Sequence, residues 1–160
     1  MKKIHIPFLM LLVGLFMTAC DNNKNYEFGE PYSKLEGIAD TWELTSVEQV
    51  DKLTLSADST LDVSSVFLKG TPMTLAFNSS EMTVVVEAGD SPQLLIGGGS
   101  WSFDDDEYPT AIILNANGVE QTLRMLKTIR TVDETLEFQV SRSFRGQSTV
   151  GYNFTFVRQN

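Results

Sequence analysis

The side chains most often used for catalysis are scarce in this chain. One histidine, His5, and one cysteine, Cys20, occur in 160 residues, and both fall within the first twenty. What remains beyond residue 20 is carboxylate. A glycosidase needs two carboxyl groups about 5–10 Å apart in a cleft, one with a raised pKa. Glu43 and Glu137 are the candidates on strand-like segments, and each falls on the polar side of its pattern, facing away from a core. Asp104-Asp105-Asp106-Glu107 offers hard oxygen ligands. Consecutive acids in a turn point in different directions, however, and the alternating spacing of a calcium loop is missing. Gly97-Gly98-Gly99 lacks the following Lys and Ser/Thr of a phosphate-cradling loop, so it marks a bulge or a sharp strand start. The expectation is no catalytic residue, no metal and no cofactor.

The first twenty residues carry a different chemistry. Met1-Lys2-Lys3 is followed by an apolar run over 4–17 and then Thr18-Ala19-Cys20. A positive start, an apolar centre and small residues before a cut make a secretory signal. A transmembrane helix needs about 20 apolar residues, more than this run supplies. Cys20 stands where a lipoprotein signal peptidase cuts, although Met17 occupies the −3 position where such signals usually have Leu. A plain secretory signal is the alternative. A lone thiol in an oxidising compartment is a liability, and a thioether-linked lipid removes it. Each buried methylene contributes about 0.8 kcal/mol, so several acyl chains on one residue anchor a protein stably. The expectation is a signal peptide over 1–19, lipidation at Cys20 and a cell-envelope address on a membrane, the outer membrane by preference. Asp21 retains lipoproteins in the inner membrane of enteric bacteria, a rule that need not extend to other phyla. If His5 leaves with the signal and Cys20 is acylated, no imidazole base, thiolate nucleophile or Cys/His metal set is left.

Beyond residue 20 there are 21 acidic and 10 basic side chains. That balance repels phosphate backbones and anionic lipid, which argues against nucleic acid as a partner and against electrostatic membrane docking. Residues 20–34 are polar, contain Gly29 and Pro31 and show no apolar period, the composition of a flexible tether. The domain spans 35–160, enough for one core.

Period-two alternation dominates that domain. Met73, Leu75 and Phe77 alternate with Thr74, Ala76 and Asn78, and Met82, Val84 and Val86 with Thr83, Val85 and Glu87. Leu136, Phe138 and Val140 alternate with Glu137, Gln139 and Ser141, and Tyr152, Phe154 and Phe156 with Asn153, Thr155 and Val157. Each run has an apolar and a polar face, as antiparallel strands half in water do. Further strands fit 41–50, 100–104, 109–115 and 119–129. Turns fall at Asn78-Ser79-Ser80, 104–107, Ala116-Asn117-Gly118 and Arg145-Gly146-Gln147. Within the long first link, residues 62–69 fit a short helix with Asp62 as N-cap, Gly70 as stop and Val63, Val66 and Phe67 as its apolar side, or else a strand. About eight strands joined mainly by hairpins predict an all-β, up-and-down antiparallel barrel, because closure removes two open edges. A β-sandwich is the alternative. A membrane-spanning barrel is disfavoured by the polar outer set Glu137, Gln139, Asn153 and Thr155.

Two segments resemble a known family. Gly37-Ile38-Ala39-Asp40-Thr41-Trp42-Glu43-Leu44 is similar to the first strand of lipocalin-like proteins, where a Gly-x-Trp opens the barrel; Asp40 stands where that glycine would be. Trp101-Ser102-Phe103-Asp104 with Tyr108-Pro109-Thr110-Ala111-Ile112 resembles the lipocalin-like (calycin-type) domains of unknown function in Bacteroidota envelope lipoproteins. The resemblance implies a calycin-type barrel, a long first loop over its open end, no established activity, and an Arg158 that stacks on Trp42 to close the floor. Asp58-Ser59-Thr60 resembles the acceptor triplet for O-linked glycans in the same envelopes.

The inward aromatic set Trp42, Phe77, Trp101, Phe103, Phe138, Tyr152, Phe154 and Phe156 can be read two ways. It lines a pocket for a small apolar ligand, or its rings, each burying about 150–250 Å², fill a narrow barrel. The first way makes the protein a carrier. The second makes it a non-catalytic accessory or interaction module whose partner is another envelope protein.

Overall fold

The computed structural model describes residues 33–53 and 60–159. The signal, Cys20, nearly all of the tether, and Asp58 and Ser59 of the acceptor triplet lie outside the described residues. Nine strands form one antiparallel sheet: β1 (Thr41–Asp51), β2 (Thr60–Asp62), β3 (Thr74–Asn78), β4 (Thr83–Glu87), β5 (Gly99–Phe103), β6 (Ala111–Ala116), β7 (Val119–Met125), β8 (Thr135–Phe144) and β9 (Gln147–Arg158). From β3 to β9 each strand pairs with the next, and β9 returns to pair with β1 from Trp42↔Arg158 to Asp51↔Val150. Eight strands therefore close into a barrel, not a sandwich. The short β2 is an addition, paired to the last residues of β1 while β3 pairs with the first.

A single irregularity lets β1 serve both neighbours. Its register against β9 shifts between Leu44 and Ser46. A bulge inserts one residue and reverses which side chains face in. Trp42 and Leu44 are accordingly buried before it, and Val47 after it. Elsewhere Met73, Leu75 and Phe77 are buried, as are Leu136, Phe138 and Val140, but Gln139, expected on the wet face of β8, is buried too, its carboxamide donating to Asn153 at 2.6 Å and accepting from Lys52.

Turn chemistry accounts for most of the hairpins. Asn117 and Gly118 have φ of 54° and 78°, and Arg145 and Gly146 have 53° and 80°, the left-handed pairs that two-residue primed turns require. Two turns are longer than the sequence leads one to expect. The β3–β4 link runs over 79–82, with Met82 at φ 52° and the Asn78 carboxamide accepting from the Ser80 and Glu81 amides. The β5–β6 link spans 104–110. There the Asp104 carboxylate accepts from the Thr110 hydroxyl at 2.6 Å and the Ala111 amide at 2.8 Å, which delays β6 to Ala111. The strand expected over 119–129 stops at Met125. The glycine run opens β5, as its lack of side chains requires: a Cβ on Gly98 would lie 2.5 Å from the Val84 carbonyl oxygen.

Two short helices cap the ends. At the floor, α1 (Lys34–Ile38) is capped by the Ser33 hydroxyl, which accepts from the Glu36 amide at 3.2 Å. At the mouth, α2 (Ser64–Phe67) begins where the Asp62 carboxylate accepts from the Ser64 amide and is followed by Gly70 at φ +91°. Phe67 inserts into the barrel, whereas Val66 is 56% exposed instead of joining the apolar side. A second strap over 88–98 crosses the mouth and buries Leu95. Its Ser91 hydroxyl donates to the Phe67 carbonyl at 2.6 Å, which pins strap to helix. At the centre, Phe154 is fully buried between Phe138 and Phe156. The expected cost of Phe154→Ala is about 3–5 kcal/mol in urea unfolding with an unchanged m-value. A loss below about 1 kcal/mol would mean an interior that collapses around the missing ring.

Candidate functional site

The inward aromatic residues sort into three groups instead of ringing one void. In the first, Phe138 stacks on Phe154 and Phe156 with centroids 5.6 and 5.4 Å apart. Phe67 sits edge-on above Phe154 at 5.8 Å, with Tyr152 6.2 Å away from it. The second is an edge-to-face ladder, Phe77–Trp101–Phe103, with 5.4 Å between successive rings. Offset-stacked and perpendicular arrangements at these spacings are the favourable ones for rings that carry a quadrupole. Phe103 and Tyr152 are only half-buried, and the other members of both groups are buried. The first group makes a continuous chain of ring contacts from Phe156 through Phe138 and Phe154 to Phe67.

The third group is Trp42 with Arg158, and it forms the floor. The two residues face each other across β1 and β9, and the Arg158 guanidinium lies 4.7 Å from the indole centroid. Every edge of that guanidinium is used. Nη1 donates to the Asp40 carboxylate at 2.8 Å, Nη2 to the Gly37 carbonyl at 3.0 Å and the Asp133 carbonyl at 3.1 Å, and Nε also to Asp133. Arg158 is thereby held with 14% of its side chain exposed. The Trp42 indole N–H donates to the Ile38 carbonyl at 2.9 Å. Asp40, which replaces the glycine of the resembling motif, is thus the ionic partner of Arg158. Gly37 is needed for a separate reason: a Cβ there would lie 2.9 Å from the Arg130 backbone.

The floor loop after β7 is tied by a second charge cluster that composition alone did not reveal. Asp133, with 4% of its side chain exposed, accepts from Arg130 Nη2 at 2.8 Å and from the Arg130 amide at 2.8 Å, with Lys127 3.5 Å away. The Arg130 guanidinium holds its carboxyl down at about 2, with the amide hydrogen bond and the Lys127 charge acting in the same direction against burial. The Arg130-x-x-Asp133 spacing was the one signal of it in the sequence.

Asp104 and Asp105 have structural work in the β5–β6 turn. Asp104 is lowered to about 2, first by the Thr110 hydroxyl and then by the Ala111 amide. The Asp105 carboxylate accepts from the Glu107 and Tyr108 amides. Glu43 and Glu137 sit on the side of β1 and β8 opposite the buried residues, where Glu137 accepts from Thr135 at 3.2 Å. Among the described residues no three His, Cys, Asp or Glu side chains converge. Comparison with protein-family models, curated proteins and solved structures finds no match.

Since the Asp133 carboxyl is depressed in the folded state, its contribution is complete above about pH 4, the unfolded value, and is lost as pH falls toward 2. In Asp133→Asn, stability at pH 7 should drop while its further fall between pH 4 and 2 becomes shallower than in the parent. Parallel acid-unfolding curves for the two proteins would show that this carboxylate is not coupled to folding.

Proposed function

We propose that this chain is a lipid-anchored cell-envelope protein whose barrel is a non-catalytic accessory or interaction module acting through its outer surface. The observation that supports this reading is the packed ring stack: a ligand at that level of the barrel would have to displace Phe138, Phe154 and Phe156. The commitment of Asp104, Asp105 and Asp133 to backbone and arginine partners supports a framework role for the acids over a catalytic one. The anchor rests on the signal-like residues 1–19 and the position of Cys20. The closed barrel agrees with the architecture that the lipocalin-like resemblance implies.

Metabolic labelling with palmitate, followed by native mass spectrometry of the extracted protein, tests both halves. Label should enter the parent and not Cys20→Ala, and the mass should be that of an acylated chain lacking residues 1–19, with no other molecule retained. An unlabelled parent would remove the anchor. An apolar molecule released only on unfolding would replace the surface module with a carrier.

A further inference from the structure

The inner face of the barrel changes character above Val140. Going up β8 the inward series reads Phe138, Val140, Arg142, and the paired registers place Tyr152 opposite Val140 and Gln49 opposite Tyr152. The apolar column therefore ends in a guanidinium, a phenol and a carboxamide on three adjacent strands. Around them lies a cleft of ≈ 340 Å³, open on its outer side and walled by Val63, Val66 and Phe67 of the α2 segment and by Leu94 of the strap. Phe67 lies between it and the ring stack, lining the cleft while its ring packs edge-on against Phe154.

Two features distinguish this cleft from an ordinary surface recess. Its apolar wall includes Val66, a valine left 56% exposed at the mouth. Its polar groups are unspent: among the described residues the Arg142 guanidinium, the Gln49 carboxamide and the Tyr152 hydroxyl have no hydrogen-bond or ionic partner. Arg142 is exposed to solvent at the rim, whereas the Arg158 guanidinium at the floor has every edge occupied. Asp51, which shares a cross-strand row with Arg142 through Val150, has its carboxylate on the Leu53 amide at 2.8 Å. An apolar wall with a few convergent polar groups, at the lower end of the 300–1,000 Å³ typical of ligand pockets, is the usual form of a small-molecule site.

We infer that the rim cleft between α2 and the 88–98 strap binds a small amphipathic organic anion, its carboxylate on Arg142 and its apolar body against Val63, Val66 and Leu94. A planar guanidinium takes a carboxylate through two parallel hydrogen bonds. Gln49 and Tyr152 supply donors beside it. The chain's net charge of −9 opposes anions at long range, but at physiological salt that field is screened beyond about 8 Å, so the local cation governs. An open cleft buries only part of its occupant, and binding is correspondingly weak and exchangeable. The site depends on neither acylation nor the content of the barrel axis.

Calorimetric titration of the full chain in lipid nanodiscs, with empty nanodiscs subtracted, tests this using 2-naphthoate and its uncharged counterpart 2-naphthamide. Naphthoate should bind about fivefold tighter than the amide. Arg142→Gln should abolish that preference while leaving amide affinity unchanged, and Val66→Glu, at an exposed position, should weaken both ligands at least tenfold with an unaltered circular dichroism spectrum. Equal affinities in the parent, or no saturable heat with either ligand, would overturn the proposal. Binding that survives both substitutions would place the ligand in the barrel axis and overturn it equally.

Discussion

The guanidinium of Arg158 is the point on which the rest of the barrel depends. A sheet becomes a barrel only when its first and last strands pair, and that pairing joins residues about a hundred positions apart in sequence, so its loop-closure entropy is the largest in the fold. Arg158 meets Trp42 at the outermost rung of that seam and reaches from it to three other pieces of chain: the end of α1 through Gly37, the start of β1 through Asp40, and the floor loop through Asp133. Burying a guanidinium is costly unless its donors are met, and here they are met by one carboxylate and two carbonyls. The interaction is specific because loss of any one partner strands the charge.

Above that clasp the interior is built by ring stacking. Phe138, Phe154 and Phe156 lie on adjacent strands, and their near-parallel planes, 21–30° apart, follow from inward positions on neighbouring rungs of one sheet. At the mouth, helix and strap are held to each other by Ser91 and by the exchange between Thr71 and Asp90, whose amide donates to the Thr71 carbonyl while its carboxylate accepts from the Thr71 amide at 2.8 Å.

Much of this was legible in the sequence because water writes a two-residue period into strands with one wet face. The runs at Met73–Phe77, Leu136–Val140 and Tyr152–Phe156 needed nothing further, and Asn117-Gly118 named its own turn. The Trp42–Arg158 contact was legible only through resemblance, since no local period links residues at opposite ends of a chain. The five residues of α1 are too few for a helical period, and only the Ser33-x-x-Glu36 spacing marked its cap. The three residues of β2 are all exposed and carry no alternation. Asp40 read as a departure from a motif until its partner was seen. The rim cleft was illegible for a stronger reason: its lining comes from five separate segments, and of its residues only Tyr152 belonged to the inward aromatic set.

Native-state hydrogen exchange tests the clasp most directly. If the floor holds the seam shut, the amides of Glu43 and Val157, which face each other across the β1–β9 rung next to Trp42 and Arg158, exchange only by global unfolding, as does Phe138, with one common free energy that matches the value from denaturant. Earlier exchange at Glu43 and Val157, with Phe138 still protected, would mean that β1 peels from β9 while the ring stack persists, and the floor clasp would then not hold the seam.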